Sequence, residues 1–429
     1  MAERNRVLYQ SEYVFVGPPN GDKDSLGAAA YSKLVSPLHR IQEFSHGMEV
    51  NRTDVFEFGR LAALSREIIE APTVTADMTY LLADGYNESG IGFTVCSPSN
   101  DLASENEWRH GKFPSAISGL LTDNDGDDHN EKNYYLVTSP EFTDVNDDAN
   151  VEIADMTRSV VGIGNATVSN YSVNAAVGDF ASASVSLEAF NVNFVSGRAN
   201  DTAGVLLEGY PSPDVNKTTA GASTDEFYLP DPGTGNLSVF AIRPGDISIV
   251  FGTGADGDLA RGDDTLQVGG AVLPGVDPDS ATEDAGQTPM HIQSFSIEAP
   301  LTRTPLNRIG SVYPYARLVD FPQDITLNVS AFLADVTTGN LVDLMCNSSR
   351  TRTIDVYLKY PCDTHDHDKQ QAGERYNMIY QLKNARLQSQ NFSASIGDNK
   401  SVDLTFTAQY GGVTDLDNGL FISGAASRA

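Results

Sequence analysis

"RIQEFSHGMEVNRT" fills residues 40–53, and "HIQSFSIEAPLTRT" fills residues 291–304. Set over each other at a shift of 251 and extended without gaps to residues 84 and 335, the two segments share 12 identities in 45 positions. Ile41/Ile292, Gln42/Gln293, Phe44/Phe295, Ser45/Ser296, Arg52/Arg303, Thr53/Thr304, Gly59/Gly310 and Arg66/Arg317 are among them, and Leu82-Ala83-Asp84 meets Leu333-Ala334-Asp335. A second block repeats at a shift of 219: "NATVSNYSVNAAVGDFASASVSLEA" from Asn165 lies over "NARLQSQNFSASIGDNKSVDLTFTA" from Asn384. Both blocks keep their order, which indicates tandem duplication of a domain rather than a short-period solenoid.

The polarity pattern repeats with the letters. In residues 73–82, Val74, Ala76, Met78, Tyr80 and Leu82 alternate with Thr73, Thr75, Asp77 and Thr79. In the second copy Ile325, Leu327, Val329, Ala331 and Leu333 alternate with Asp324, Thr326, Asn328 and Ser330. A period of two predicts half-buried antiparallel strands, apolar on one face and wet on the other. "SASVSLEAF" and "SVDLTFTAQY" read the same way, and Gly, Pro, Asn and Asp clusters punctuate the rest. The predicted fold is mainly β: two tandem β-sandwich or barrel domains, each with a short flanking helix. The expected helices lie around residues 340–346 and, more weakly, 91–96. The first domain is expected over residues 1–200, a linker or surface insertion over 201–240, and the duplicate over 241–429; "SVFAIRPGDISIVFG" mirrors the strand near the start.

Fifty-eight acidic against 28 basic side chains give a formal charge of -30. Such a surface repels phosphates and argues against a nucleic-acid-reading role; adaptation to a saline habitat would produce the same balance. Cys96, Cys346 and Cys362 contain no CxxC pair and cannot form a disulfide framework. No apolar run follows the basic residues near the start, and no stretch approaches the roughly 20 apolar residues of a membrane span, so the expected setting is a cytosol and no membrane is expected as a partner.

Motifs of common catalytic families are absent: no HExxH, GxSxG or P-loop occurs. Residues 122–131 form an Asp-rich turn but carry Tyr134 where a helix–loop–helix calcium site needs its twelfth-position Glu. Residues 254–270 hold a single Gly/Asp run, including Arg261-Gly262-Asp263, and residues 362–369 bring Cys362, His365 and His367 together without an evident fourth ligand. Loops are the expectation for all three, and packing for the lone Trp108. The expected chain has no catalytic residues, no metal and no cofactor.

The two blocks, with "NRTDVFEFGRLAAL", "EAPTVTADMTYLLADG" and the later "VSNYS…GD…VSLEA" strands, resemble the major tail tube proteins of long-tailed bacteriophages and related archaeal viruses. The resemblance covers about four-fifths of the chain, by pattern and order rather than by an invariant motif. It implies domains arranged six to a ring, rings stacked into a hollow tube for genome delivery, and, with two domains per chain, a homotrimer. It further implies a place in the virion tail, assembly in the host cytoplasm, and tape-measure, tail-tip and tail-terminator proteins as partners, with viral DNA passing unbound. Thr73, Thr75, Asp77, Thr79, Asp324, Thr326, Asn328 and Ser330 are the candidate lumen face. The competing readings are a tail-tip or tail-completion protein, a calcium-steadied β-repeat adhesin, and a virion hydrolase using acids such as Asp127 and Glu131. If the Asp-rich loops are solvated loops, a chelator at fixed ionic strength leaves the melting temperature unchanged. A large loss restored only by calcium would reverse that assignment.

Overall fold

The computed structural model describes residues 12–18, 35–96, 115–121, 131–138, 159–196, 241–253, 290–311, 313–314, 316–333, 351–359, 376–394 and 399–424. The fold is mainly β. In the first half the strands are β1 (Glu12–Gly17), β2 (Ser36–Pro37), β3 (Ile41–Glu49), β4 (Thr53–Val55), β5 (Ser65–Glu67), β6 (Thr73–Leu81), β7 (Val95–Cys96), β8 (Lys132–Thr138), β9 (Ser159–Ala176), β10 (Ser182–Ala189) and β11 (Asn191–Ser196). The second half supplies β12 (Ile247–Thr253), β13 (Met290–Pro300), β14 (Arg303–Leu306), β15 (Ala316–Val319), β16 (Asp324–Leu333), β17 (Arg352–Lys359), β18 (Tyr376–Ser393), β19 (Ser401–Gln409) and β20 (Gly419–Gly424). Among the described residues two short α-helices, α1 (Tyr86–Ile91) and α2 (Ser118–Leu121), lie in the first half.

Alternation fixes which side of each strand meets the core. Val74, Ala76, Met78 and Tyr80 of β6 are buried, as are Ile325, Leu327, Val329 and Ala331 of β16. These strands lie in one antiparallel layer of order β3-β6-β10-β9-β13-β16-β19-β18. A second layer, β1-β8-β9-β11 in the first half and β12-β17-β18-β20 in the second, lies over its apolar side. Phe251 of β12, for example, meets Phe406 of β19 at 5.6 Å between ring centroids.

The 18-residue strands β9 and β18 belong to both layers. Each changes layer at an asparagine in the left-handed region, Asn165 at φ 53 and Asn384 at φ 56. Asparagine tolerates this conformation because its short amide finds local partners. The Asn165 backbone N–H donates to Asn133 Oδ1 at 2.9 Å and its side-chain amide to Glu131. The Asn384 amide donates to Asn418 Oδ1.

Within the eight-stranded layer the strand registers of the two halves correspond under the same shifts of 251 and 219 that relate the sequences. Ser182 opposite Leu81 becomes Ser401 opposite Phe332, and Ala189 opposite Val74 becomes Ala408 opposite Ile325. The bulges recur too, at Ile41/Glu43 and Ile292/Ser294, and at the crossings of β10 with β9 and β19 with β18.

One local expectation needs correcting. The first-half helix lies at Tyr86–Ile91, before the expected residues 91–96. Gly92, at φ 119, ends it with its N–H on the Glu88 carbonyl at 3.2 Å. Val95 and Cys96 instead form β7, paired in parallel with β20 of the second half. The expected second-half helix at 340–346 and the segment 201–240 lie outside the described residues.

Because only a residue comfortable at positive φ can make the layer change, Asn165→Gly is expected to keep most of the stability. Asn165→Val should cost about 1–3 kcal/mol in equilibrium urea unfolding. Equal stability of the two variants would show that the kink carries no conformational constraint.

Candidate functional site

The eight-stranded layer has one covered face and one face turned to solvent. All eight residues expected on a wet face lie there: Thr73, Thr75 and Asp77 are exposed and Thr79 half-buried on β6, while on β16 Asp324 is exposed and Thr326, Asn328 and Ser330 are half-buried. The structure brings them into one surface, because β6 and β16 are members of the same continuous layer.

Hydrogen bonds run across this surface at right angles to the strands. Ser186 Oγ donates to Asp77 Oδ1 at 2.7 Å, and Thr79 and Ser184 hydroxyls are 3.4 Å apart. In the second half Thr405 Oγ1 donates to Asn328 Oδ1 at 3.0 Å, and Asn328 Nδ2 donates to Ser296 Oγ at 3.3 Å. Ser45, Asp77 and Ser186 are the counterparts of Ser296, Asn328 and Thr405, so one lateral row is built twice. Such pairs order a polar face without apolar contact. The register also places Glu43, Glu49, Glu188, Glu298 and Asp403 on this face beside Asp77 and Asp324, against Arg386 as the one Lys or Arg among its described strand residues. The field over the face is negative. The period of two exposed this face in the sequence, but not its continuity across β9 and β13.

A buried polar cluster joins the halves beneath it. Tyr80 donates to Glu88 Oε1 at 2.9 Å and Tyr171 to the same oxygen at 3.2 Å. The Tyr380 hydroxyl of the second half lies 2.7 Å from that of Tyr171. Burial raises the Glu88 carboxyl above its ordinary range, against the hydrogen bonds from its backbone and from Tyr80 that favour the charged form. Burial likewise holds all three tyrosines in the neutral form. Sequence reading missed this cluster: residues 80, 88, 171 and 380 share no local spacing. Nearby, Gly85 and Gly424 touch backbone to backbone, since a Cβ on Gly424 would lie 2.4 Å from the Asp84 carbonyl oxygen.

Among the described residues no group of three or more His, Cys, Asp or Glu is placed to hold a metal ion. Residues 254–270 and 362–369, Cys346, Trp108 and Asp127 lie outside the described residues, as does most of 122–131. Glu131 is described, and it accepts from Asn165. Burial pushes the Cys96 thiol up to about 12, with Lys383 opposing, so it is no ready nucleophile. No described helix is long and apolar enough to cross a membrane.

No protein-family model matches the chain, and no curated protein matches it. Among solved structures it is similar to an extracellular contractile injection system, the PVC sheath-tube complex in its extended state. The match has 12% identity and a TM-score of 0.19, and covers 32% of this chain and 87% of that one. At that TM-score the likeness carries no functional argument.

Glu88 yields a pH prediction. The folded state holds its proton more tightly than the unfolded chain, whose carboxyl titrates near about 4.3. Its contribution is therefore fully present below that pH and is lost as pH rises toward the elevated folded value. Glu88→Gln should track wild type in acid and gain relative stability as pH rises, in urea unfolding across a pH series. A pH-independent difference would contradict this assignment.

Proposed function

We propose that the chain is a structural, non-catalytic building block that assembles head to tail into rings of three, which stack into the tube of a phage-like tail. The observation that supports this reading most is how the halves join. β13, the counterpart of β3, pairs antiparallel with β9, the counterpart of β18, from Ser294–Ala176 to Pro300–Asn170. The chain has thus joined one edge of a copy to the other edge of the next copy. The corresponding edges, β3 and the outer end of β18, stand at the two ends of the layer, with no described strand beyond them.

An interface between unlike edges is heterologous, and repetition closes it into a ring or extends it into a filament. Closure leaves this layer without an exposed edge, whereas in a lone chain the layer presents two. The number three follows from the resemblance to six-domain rings, taking residues 1–200 and 241–429 as the two domains. In this reading the acidic, hydroxyl-rich face lines the lumen. B-DNA carries one negative charge per about 1.7 Å of axis, so a wall poor in lysine and arginine offers few phosphate contacts to stall it. The setting is the tail of a virion assembled in the host cytoplasm, with tape-measure, tail-tip and tail-terminator proteins as partners.

The inside junction specifies the outside one. Ser296 faces Asn174, and their counterparts are Ser45 and Ser393. Opposed residues on antiparallel strands have Cα atoms about 4.5–5.5 Å apart, within disulfide reach. Oxidised Ser45→Cys/Ser393→Cys protein should give covalent trimers on a non-reducing gel, and negative-stain images should show rings. Dispersed monomers without interchain disulfide, at concentrations giving saturated oxidation of a control pair placed at Ser296 and Asn174, would sink the ring.

A further inference from the structure

A hairpin follows β3 in the first half and β13 in the second, and the two differ in what they touch. In the second half β14–β15 lies against the first half. Arg303 Nη2 donates to the Leu120 carbonyl at 3.1 Å, and Arg317 Nη1 donates to the Glu188 carbonyl at 3.1 Å. The Arg317 guanidinium lies 3.7 Å from the centre of the Phe190 ring, which Tyr313 meets edge-on. Burial lowers the pKa of both arginines, while Glu131 and Glu188 oppose the shift. The hairpin is thus a clasp placed just past the β9–β13 junction.

In the first half the same hairpin, β4–β5, is open to solvent. It keeps both arginines, as Arg52 and Arg66. Arg66 is 69% exposed and bound only to Asp54 of its own hairpin, at 2.9 Å, among the described ion pairs. Phe56, Leu64 and Ile69 of the same segment are exposed, and Leu61 reaches 106%. An apolar group this exposed marks an interaction surface.

We propose that β4–β5 clasps the second half of a neighbouring copy of this chain, with Arg52 and Arg66 taking the places that Arg303 and Arg317 hold internally. The inference rests on the head-to-tail reading, and it follows from continuity. β3 leads into β4–β5 as β13 leads into β14–β15, so pairing of β3 with a neighbour's β18 carries the hairpin over the end of that neighbour's β19.

The receiving surface suits the charge. The counterparts of Glu188 and Phe190 are Thr407 and Gln409, and the loop after them bears Asp415 and Asp417. Glu131, beside Arg303, accepts from the Asn165 amide. At the equivalent place the Asn384 amide meets Asn418, whose own amide donates to Asp415 Oδ2 at 2.9 Å. The Asp417 and Asn418 backbone N–H groups also donate to Asp415, at 2.8 and 3.1 Å, which fixes one carboxylate, while Asp417 is exposed. With Gln409 in place of the phenyl ring, the trans clasp depends more on charge than the internal one and is screened by salt.

The test reverses the two arginines in wild-type protein and, separately, in the Ser45→Cys/Ser393→Cys background. Arg52→Glu/Arg66→Glu should raise the concentration for assembly, read by analytical ultracentrifugation, by about tenfold at low salt. The shift should shrink near about 0.5 M salt, where screening is short-ranged, and Asp417→Arg should restore part of it. Monomer unfolding should change little, because both arginines are exposed and the described ion pair of Arg66 is a surface contact with Asp54 inside its own hairpin. If the disulfide still forms but reversal leaves assembly and its salt dependence untouched, the clasp is wrong and the ring stands. If reversal and rescue act on association while no disulfide links positions 45 and 393, the clasp stands and the edge pairing is wrong. Loss of both effects overturns both.

Discussion

An unpaired strand edge is the constraint on which this architecture turns. Each buried N–H and C=O of a strand needs a partner, and a half-sheet of four strands has two edges to satisfy. The chain satisfies one pair internally, where β9 takes β13 beside it. Everything else in the seam follows that contact: Val173 and Ile297 become fully covered, Val177 N–H reaches the Gln293 carbonyl at 2.9 Å, and Leu301 N–H reaches the Ser169 carbonyl at 2.8 Å. Further contacts secure it from the covered side, through β7 on β20, the Glu88 tyrosine cluster and the glycine contact.

The halves repeat their registers yet diverge at their edges in a directed way. At the internal seam the core-facing residues of β13 are Phe295, Ile297 and Ala299; at the outer edge their counterparts are Phe44, His46 and Met48. Val173 and Tyr171 correspond to Phe392 and Gln390. The internal junction is more uniformly apolar, as obligate interfaces are, while the outer edge keeps polar groups that are compatible with water. The same division separates the two hairpins, one already seated on aromatic and carbonyl partners and one exposed with its arginines intact.

The polar face is ordered by different means. A row of Ser, Thr, Asn and Asp joined across strands holds side chains in place through hydrogen bonds, leaving a surface that is ordered, hydrated and acidic. Its negative potential and its scarcity of cations are two aspects of one composition, visible in a chain with 58 acids and 28 bases. A face of this kind weakens phosphate binding over its whole length instead of at one point.

Much of this was legible in one sequence. The shifts of 251 and 219 anticipated the paired registers, because a duplicated pattern of alternation admits few strand alignments. Alternation also placed Thr73 through Thr79 and Asp324 through Ser330 on a solvent face, since side chains on a strand must point to opposite sides. What alternation cannot encode is which strand lies next to which across long separations. The joining of β9 to β13, the meeting of Glu88 with Tyr171 and Tyr380, and the crossing of β7 onto β20 arise from edge satisfaction and core closure. The helix near residue 91 was misplaced for a related reason: Gly92 ends it, and pairing with the distant strand β20 turns Val95 and Cys96 into β-structure. The sequence alone determined the faces; only the tertiary structure decided the neighbours, because strand pairing is a contact between distant segments and the local pattern carries no record of it.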